Sequence, residues 1–438
     1  MIVRNDTHGE NKLKITRWIL SLAGIILILG LFITGCTKPP ENTKVKEIEF
    51  WTLQLADFAP YINKVISDYE NQNPDIKIKW IDVPFSEGEK RALAAVMSND
   101  VPDLINMNPS FGSTLASRGA LIDVKQHINK EDYNKYLNES WESSKLNDVT
   151  FGIPWYITTS ITIYNSDLLQ KAGLNPDNPP KTYEELKPAS KAIKEKTGKY
   201  AFMPNLTEDG QMIKMFNKYD VPIVNTDRTK ALFNTDKATQ VLDFWSNLYD
   251  NNYIPPESLT ETHRASLERY QSGESAFIFT GANFLKMIKE NAPQVYNTTR
   301  VAPQITGSNN KIDFALMNLV VPIKSKHPKE AIDFALFLTN SQNQLEFCKL
   351  APILPSTLDA INSDFFREKP NADLMDKARA ISAKQLNRAM APVPPLANQK
   401  DLFQIVDYMT QQVLLGHKKP KAAIDQAVNE WNKILSEN

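Results

Sequence analysis

The chain has 438 residues, with 50 Lys and Arg against 51 Asp and Glu, a formal charge of −1 and 42% hydrophobic residues. So even a balance argues against a surface built for a polyanion, and no nucleic-acid partner is expected. Two cysteines, Cys36 and Cys348, exclude a disulfide framework and a cysteine-based metal cluster.

The first element is apolar. Arg4, Lys12, Lys14 and Arg17 precede an uncharged stretch, residues 18–35, that ends at Cys36 and gives way to the polar run "TKPPEN". Such a stretch would just reach across a bilayer core of roughly 30 Å as a helix. A basic n-region, an apolar h-region and small residues before a processing point are equally the marks of a segment that is removed. Ile33-Thr34-Gly35-Cys36 resembles the bacterial lipobox, in which the cysteine is diacylated and becomes the new N-terminus. Two acyl chains, at about 0.8 kcal/mol per buried CH₂, anchor a protein where one does so only marginally. Residues 1–35 are therefore expected to be a lipoprotein signal peptide and 36–46 a lipidated tether. The product would sit on the extracytoplasmic face of the cell membrane. A retained membrane-spanning helix is the alternative.

Beyond the tether some 400 residues remain, more than one hydrophobic core usually serves, so two lobes are expected. "KEIEFW" places Ile48 and Phe50 on one strand face, and "FAPYINKVISDYENQNP" carries Phe58, Ile62, Val65, Ile66 and Tyr69 at helical spacing before Pro74. "IKIKWIDV" alternates again, residues 87–97 are helical in pattern, and "VPDLINMN" is a short apolar run. This β-α-β-α-β opening predicts a mainly parallel sheet flanked by helices, with ligands at the carboxyl ends of the strands. Gln54 after the first strand, and Asn106 and Asn108 after the third, are the polar residues at those ends.

"FGIPWYITTSITIYNSDLL" passes through Pro154-Trp155-Tyr156 into a new strand and has the character of a crossing between lobes. "KTYEELKPASKAIKEKTG" opens with Thr182 and Glu185 at capping-box spacing, with Pro188 expected to disturb the helix. Trp245, in "QVLDFWSNLYDNN", shares a helical face with Val241, Leu242, Leu248 and Tyr249 and is expected in the core. "GESAFIFTGANF" is a buried strand breaking at Gly281, and residues 331–350 and 401–435 are helical by their periodicity. Cys348, in the first of these, is expected to be a buried small hydrophobe.

Catalytic patterns are absent. His127, His263, His327 and His417 are scattered singly, and no H-E-x-x-H, G-x-S-x-G, Walker A or G-x-G-x-x-G motif occurs. No cofactor or metal is expected. Carboxylates alone leave a glycosidase open, because its two acids can come from anywhere in the chain.

From the opening strand ending in Phe50-Trp51, through "YENQNPDIKIKW", "VPDLINMN", "GIPWYITTSITIYNSDLLQKAG", "PKTYEELKPASKAI" and "SGESAFIFTGANF" to "APILPS", the chain resembles the extracellular solute-binding proteins of family 1, which serve carbohydrate ABC importers. The resemblance implies an α/β fold of two lobes, each discontinuous, with a ligand cleft between them. The lobes are expected at 47–157 with 281–325, and at 158–280 with 326–438. It also implies a monomer that captures a mono- or oligosaccharide by hinge closure and presents it to permease subunits, without catalysis.

Carried over residue by residue, the resemblance places Gln54, Asn106, Asn108, Ser110 and Phe111 on one wall, Trp155 and Tyr156 at the crossing, and Gly281, Asn283 and Phe284 on the other wall. Phe403 falls near a further aromatic position. The maltose-binding branch of the family has a tryptophan one place earlier on that second wall, where this chain has Asn283, which implies a different or shorter sugar. Aromatic faces cover sugar C–H surfaces while amides satisfy hydroxyls, and neutral amides outnumber charges in this set. A polyol, a phosphorylated compound or a polyamine is the alternative solute, and a secreted polysaccharide-degrading enzyme the alternative class.

The lipobox reading predicts that Cys36→Ser leaves the precursor uncleaved and unlabelled by radioactive palmitate in cells. Continued labelling of the variant would refute it.

Overall fold

The computed structural model describes residues 45–391 and 393–436. The leader, Cys36 and all but the end of the tether lie outside the described residues. β1 (Lys46–Leu53), α1 (Ala59–Gln72), β2 (Ile76–Val83), α2 (Phe85–Ser98) and β3 (Leu104–Met107) follow in the order the alternation implies. β1 pairs in parallel with both β2 and β3. Ile48 and Phe50 are fully buried, as a period-two face requires. α1 buries Tyr61, Ile62, Val65, Ile66 and Tyr69 and stops before Pro74, whose ring disfavours helical backbone in the residue before it. α3 (Pro109–Ala116) starts directly after β3.

The element that organises the rest is β4 (Ile153–Asn165), thirteen residues long. Its second half, from Ser160 to Asn165, pairs with β5 (Phe277–Gly281) and β6 (Thr299–Ala302). Its first half, from Ile153 to Thr159, pairs with β7 (Ile312–Val320), which in turn pairs with β3. The pairing is thus mixed rather than mainly parallel: every ladder made by β4, and the β3–β7 ladder, is antiparallel. A strand that leaves one lobe and segments that come back beside it run in opposite directions, which accounts for this.

In the second lobe, α4 (Gln211–Lys218) and α5 (Asp236–Asp250) pack Phe216 and Trp245 into one cluster with Phe233, Phe277 and Trp431. Trp245 is 1% exposed. The helix Tyr183–Thr197 tolerates Pro188, and Thr182 still caps it by accepting from the Glu185 N–H at 3.2 Å. Lying in the second turn, the proline forfeits one intrahelical bond without ending the helix.

The expected lobe boundaries differ from the packing in two places. α6 (Phe284–Asn291) buries Leu285 and Ile288 against Ile161, Ile163 and Leu267, so residues 281–302 stay with the second lobe. α7 (Pro328–Leu338) and α8 (Ser341–Leu350) pack in the first lobe with Phe50, Tyr69 and Trp155. Phe334 meets Phe50 edge-on at 5.4 Å and Tyr69 at 5.0 Å, so the apolar stripe of α7 is complementary to the β1 face. The return to the first lobe therefore falls after Pro303. α9 (Gln399–Leu414) and α10 (Pro420–Leu435) close the second lobe, where Trp431 Nε1 donates to Leu402 O at 2.8 Å. Cys348 is buried and unpaired, and burial pushes its thiol well above the ordinary range.

Phe334→Ala should lower stability by about 3–5 kcal/mol, as deletion of a core aromatic does. Hydrogen exchange in the variant should quicken in β1 and β3 and stay unchanged around Trp431. The reverse pattern would place α7 in the second lobe.

Candidate functional site

A cleft of about 950 Å³ opens between the lobes. On the first-lobe side, Asn108 caps α3 by accepting from the Phe111 N–H at 2.8 Å, and Pro109 at the first helical position suits its fixed φ. The cap turns Ser110 and Phe111 toward the cleft. Phe111 packs at 5.5 Å against Phe85, which opens α2 and is 41% exposed, an unusual state for a large apolar ring. One turn on, Glu89 Oε1 accepts from Thr114 Oγ1 at 3.1 Å.

The opposite wall comes from the second lobe. Gly281 ends β5, and a Cβ there would collide with Asn283 Oδ1, so no other residue fits that position unless Asn283 moves. Phe284 meets the His263 ring edge-on at 5.1 Å. His263 Nε2 is 3.0 Å from Thr280 Oγ1, and burial holds the imidazole below its usual range, hence neutral at pH 7. Phe403 on α9 lies against Gly210, where a φ of +61° and the closeness of the ring, which would stand 2.5 Å from any Cβ, both favour glycine.

Acidic side chains complete this wall. Glu208 Oε2 accepts from His263 N at 3.2 Å and from Asn205 Nδ2, and Asp407 Oδ1 accepts from Gly210 N at 3.2 Å. Burial, with Asp209 and Glu208 close by, pushes the Asp407 carboxyl up to about 7 against the opposing pull of the Gly210 N–H and Lys214. Thr158, Thr159 and Ser160 of β4 and Asp313, Phe314 and Ala315 of β7 form the floor.

At the rim, Arg228 ties the lobes together. Its Nη1 donates to Lys145 O of the first lobe at 2.7 Å and to Pro395 O of the second at 3.0 Å. A turn in which Asn225 Oδ1 accepts from Thr229 N and Lys230 N, each at 2.9 Å, holds Arg228 at a φ of +58°.

Seven sequence candidates thus meet in one cleft: Asn108, Ser110, Phe111, Gly281, Asn283, Phe284 and Phe403. Four do not. Gln54 is exposed at a φ of +56°, its N–H donating to Val83 O, and serves the turn after β1. Asn106 is fully buried, with Oδ1 accepting from Leu53 N and Nδ2 donating to Asn318 O at 3.2 Å, so it ties β1 to β7. Trp155 lies at a register shift in β4 that sends its ring into the core, stacked on Phe347 at 5.6 Å with Nε1 unpartnered. Tyr156 packs edge-on against both rings, and burial raises its phenol far above the ordinary range.

The sequence reading also missed Phe85, Glu89, Glu208, Asp209, Lys214, Asp313, Lys400 and Asp407, all of which line the cleft. Charged groups are therefore a substantial part of the site, against the amide-rich set expected. Phe85 was accessible to the strand-end rule, since it lies two residues after β2. Asp313 and Asp407 carry no local signal. Among the described residues no group of three His, Cys, Asp or Glu side chains is placed to hold a metal ion. No helix among them is long and apolar enough to cross a membrane.

The sequence pattern of bacterial extracellular solute-binding proteins matches residues 64–373. The arabinooligosaccharide-binding protein of Bacillus subtilis (strain 168) is 22% identical over 426 residues, covering 93% of this chain and 97% of that protein. The sn-glycerol-3-phosphate-binding periplasmic protein UgpB of Escherichia coli (strain K12) is 23% identical, covering 93% and 96%. A solved structure from Synechococcus sp. MITs9220, provisionally assigned as an oligosaccharide periplasmic-binding protein, superposes with a TM-score of 0.81 at 34% identity, covering 89% of this chain and 99% of that one. The sugar-binding protein MalE of Xanthomonas citri shares the fold at a TM-score of 0.75 and 23% identity, covering 90% and 98%.

Asp407 yields a pH test. Its carboxyl is raised to about 7 in the folded chain against an ordinary value near 4, so between those values the folded state holds a proton the unfolded state has lost. Its contribution is thus fully present below about pH 4 and falls away as pH rises toward 7. Asp407→Asn keeps the acceptor for Gly210 N and should be more stable than the parent at pH 8, by about 1–3 kcal/mol. Chemical denaturation across pH should show that gain shrinking toward pH 4, and a gain independent of pH would refute the assignment.

Proposed function

Because the chain belongs to the bacterial extracellular solute-binding proteins, we propose that it captures a carbohydrate between its lobes and delivers it to the permease of an ABC importer. One observation carries this reading: phenylalanine rings stand on both walls of a polar cleft, Phe85 and Phe111 on one lobe, Phe284 and Phe403 on the other. A saccharide presents apolar C–H faces and a belt of hydroxyls, and rings on both sides with side-chain acceptors between them match both features. The names of the B. subtilis and Synechococcus relatives point to the same ligand class.

A phosphorylated polyol, the ligand class named for UgpB, fits less well. Its dianion would meet Glu89, Glu208, Asp209 and Asp313, with Lys214 and Lys400 as the basic side chains of the lining. Like charges in a partly desolvated cleft repel strongly. The reading is of binding without turnover, in keeping with relatives that are named as binding proteins.

Capture works by hinge closure. β4 passes from one lobe to the other between Thr159 and Ser160, and the chain returns after Pro303, so the lobes can rotate about these crossings. A ligand touching both walls favours the closed form by its extra affinity for it. With the leader cleaved, the diacylated Cys36 would tether the protein to the outer face of the membrane, near its permease, as a monomer.

A thermal-shift panel of arabino-, malto- and other oligosaccharides, monosaccharides and glycerol 3-phosphate, applied to residues 37–438, tests this. A saccharide present at a hundred times its Kd should add about 2.7 kcal/mol of stability. It should also shrink the radius of gyration in solution scattering. Phe111→Ala should weaken that saccharide by about 1–3 kcal/mol. A shift with glycerol 3-phosphate alone would overturn the carbohydrate reading.

A further inference from the structure

On the cleft floor, Asp313 differs from the other carboxylates. It opens β7 where the chain returns to the first lobe, and its side chain, 24% exposed, lines the cleft. Beneath it, Lys218 at the end of α4 is 2% exposed and directs its ammonium to Asp313 Oδ1. Gln304 Nε2 donates to the same oxygen at 2.9 Å. Burial alone would raise the Asp313 carboxyl, but the charge and hydrogen bond of Lys218 outweigh it and hold the group below the ordinary carboxylate range.

Both supports are themselves fixed. Lys218 O accepts from Asn309 N at 3.3 Å, Asn309 Nδ2 donates to Asn217 O at 2.8 Å, and Gly307 lies so close to the Lys218 carbonyl that a Cβ would collide with it. The Gln304 N–H donates to Gln385 Oε1 at 2.9 Å, and Gln385 Nε2 donates to Thr159 Oγ1 at 2.9 Å and Ser160 O at 2.8 Å. With its Nε2 committed to Asp313, Gln304 leaves its own Oε1 buried and unpartnered. Both of these side-chain donors reach Oδ1 of Asp313 from below, and among the described residues no other side chain donates to its carboxylate.

We propose that Asp313 is a specificity-determining residue whose Oδ2 accepts hydrogen bonds from the hydroxyls of a saccharide lying on the crossing strands. This rests on the carbohydrate reading above. A carboxylate held ionised and immobile by a buried cation is a strong acceptor that needs little reordering when the ligand arrives. It favours neutral hydroxyl donors and disfavours anions. The lysine confers no competing site of its own, because it is buried below the carboxylate rather than beside it. The ring would contact the same strands about which the lobes turn, so the anchor would be shared by both lobes.

The test uses calorimetric titration of residues 37–438 with arabinotriose and maltotriose. Asp313→Asn removes the charge but strands the buried ammonium, which by itself can unfold a protein. The pair Asp313→Asn with Lys218→Met removes both charges together. That double variant should melt within a few degrees of the parent and bind the accepted trisaccharide 10- to 100-fold more weakly. Parental affinity in a folded double variant overturns the proposal. Should the variants fail to fold, a crystal structure of the unmutated protein with the accepted trisaccharide decides: a sugar hydroxyl within hydrogen-bond reach of Asp313 Oδ2 is expected, and a sugar seated away from it overturns the proposal. If the unmutated protein binds no saccharide of the wider panel, the carbohydrate reading itself fails and takes this anchor with it, an outcome distinct from loss of effect at Asp313 alone.

Discussion

The structure depends on one strand belonging to two sheets. β4 gives its first half to β7 and its second half to β5 and β6, with the exchange between Thr159 and Ser160. Backbone N–H and C=O groups need partners on both sides of a buried strand, and here the partners change along its length. The consequence is a cleft whose floor is regular, hydrogen-bonded backbone and whose walls are separate bodies. Rigid floor and movable walls follow from the same ladder.

The opening β-α-β-α-β order was legible because its periodicities are local. Ile48 and Phe50 alternate, the α1 stripe repeats at helical spacing, and Pro74 marks an end, none of which needs knowledge of distant chain. The strand-end rule also found Asn108, and the family resemblance added Ser110 and Phe111 on the helix that it caps, since a cap and its helix are neighbours in sequence. It failed at Gln54, where the left-handed backbone turns the side chain to solvent. Trp155 misled for a different reason. A register shift in β4 and a stacking partner on α8, Phe347, decide where that ring goes, and neither is visible near residue 155. The lobe boundaries slipped likewise, because an amphipathic helix declares that it has an apolar face but not which sheet receives it.

The charged part of the site was the least legible. Glu208 and Asp209 sit in a short polar loop, and Asp407 lies on the same helix as Phe403, one turn further on, so each looks like ordinary surface. What makes them part of a site is convergence of segments about two hundred residues apart. Lys218 and Asp313 show the same thing at shorter range. A lysine on the last turn of a helix is normally a solvated charge, and only the loop folded over α4 places it underground.

Arg228 has a consequence for timing. Its bonds to Lys145 O and Pro395 O exist only while the two lobes stand close. A departing solute leaves after they break, and the guanidinium therefore acts on residence time. The same bonds also weight the closed form before a solute arrives, so longer retention is set against a smaller open, capture-ready population.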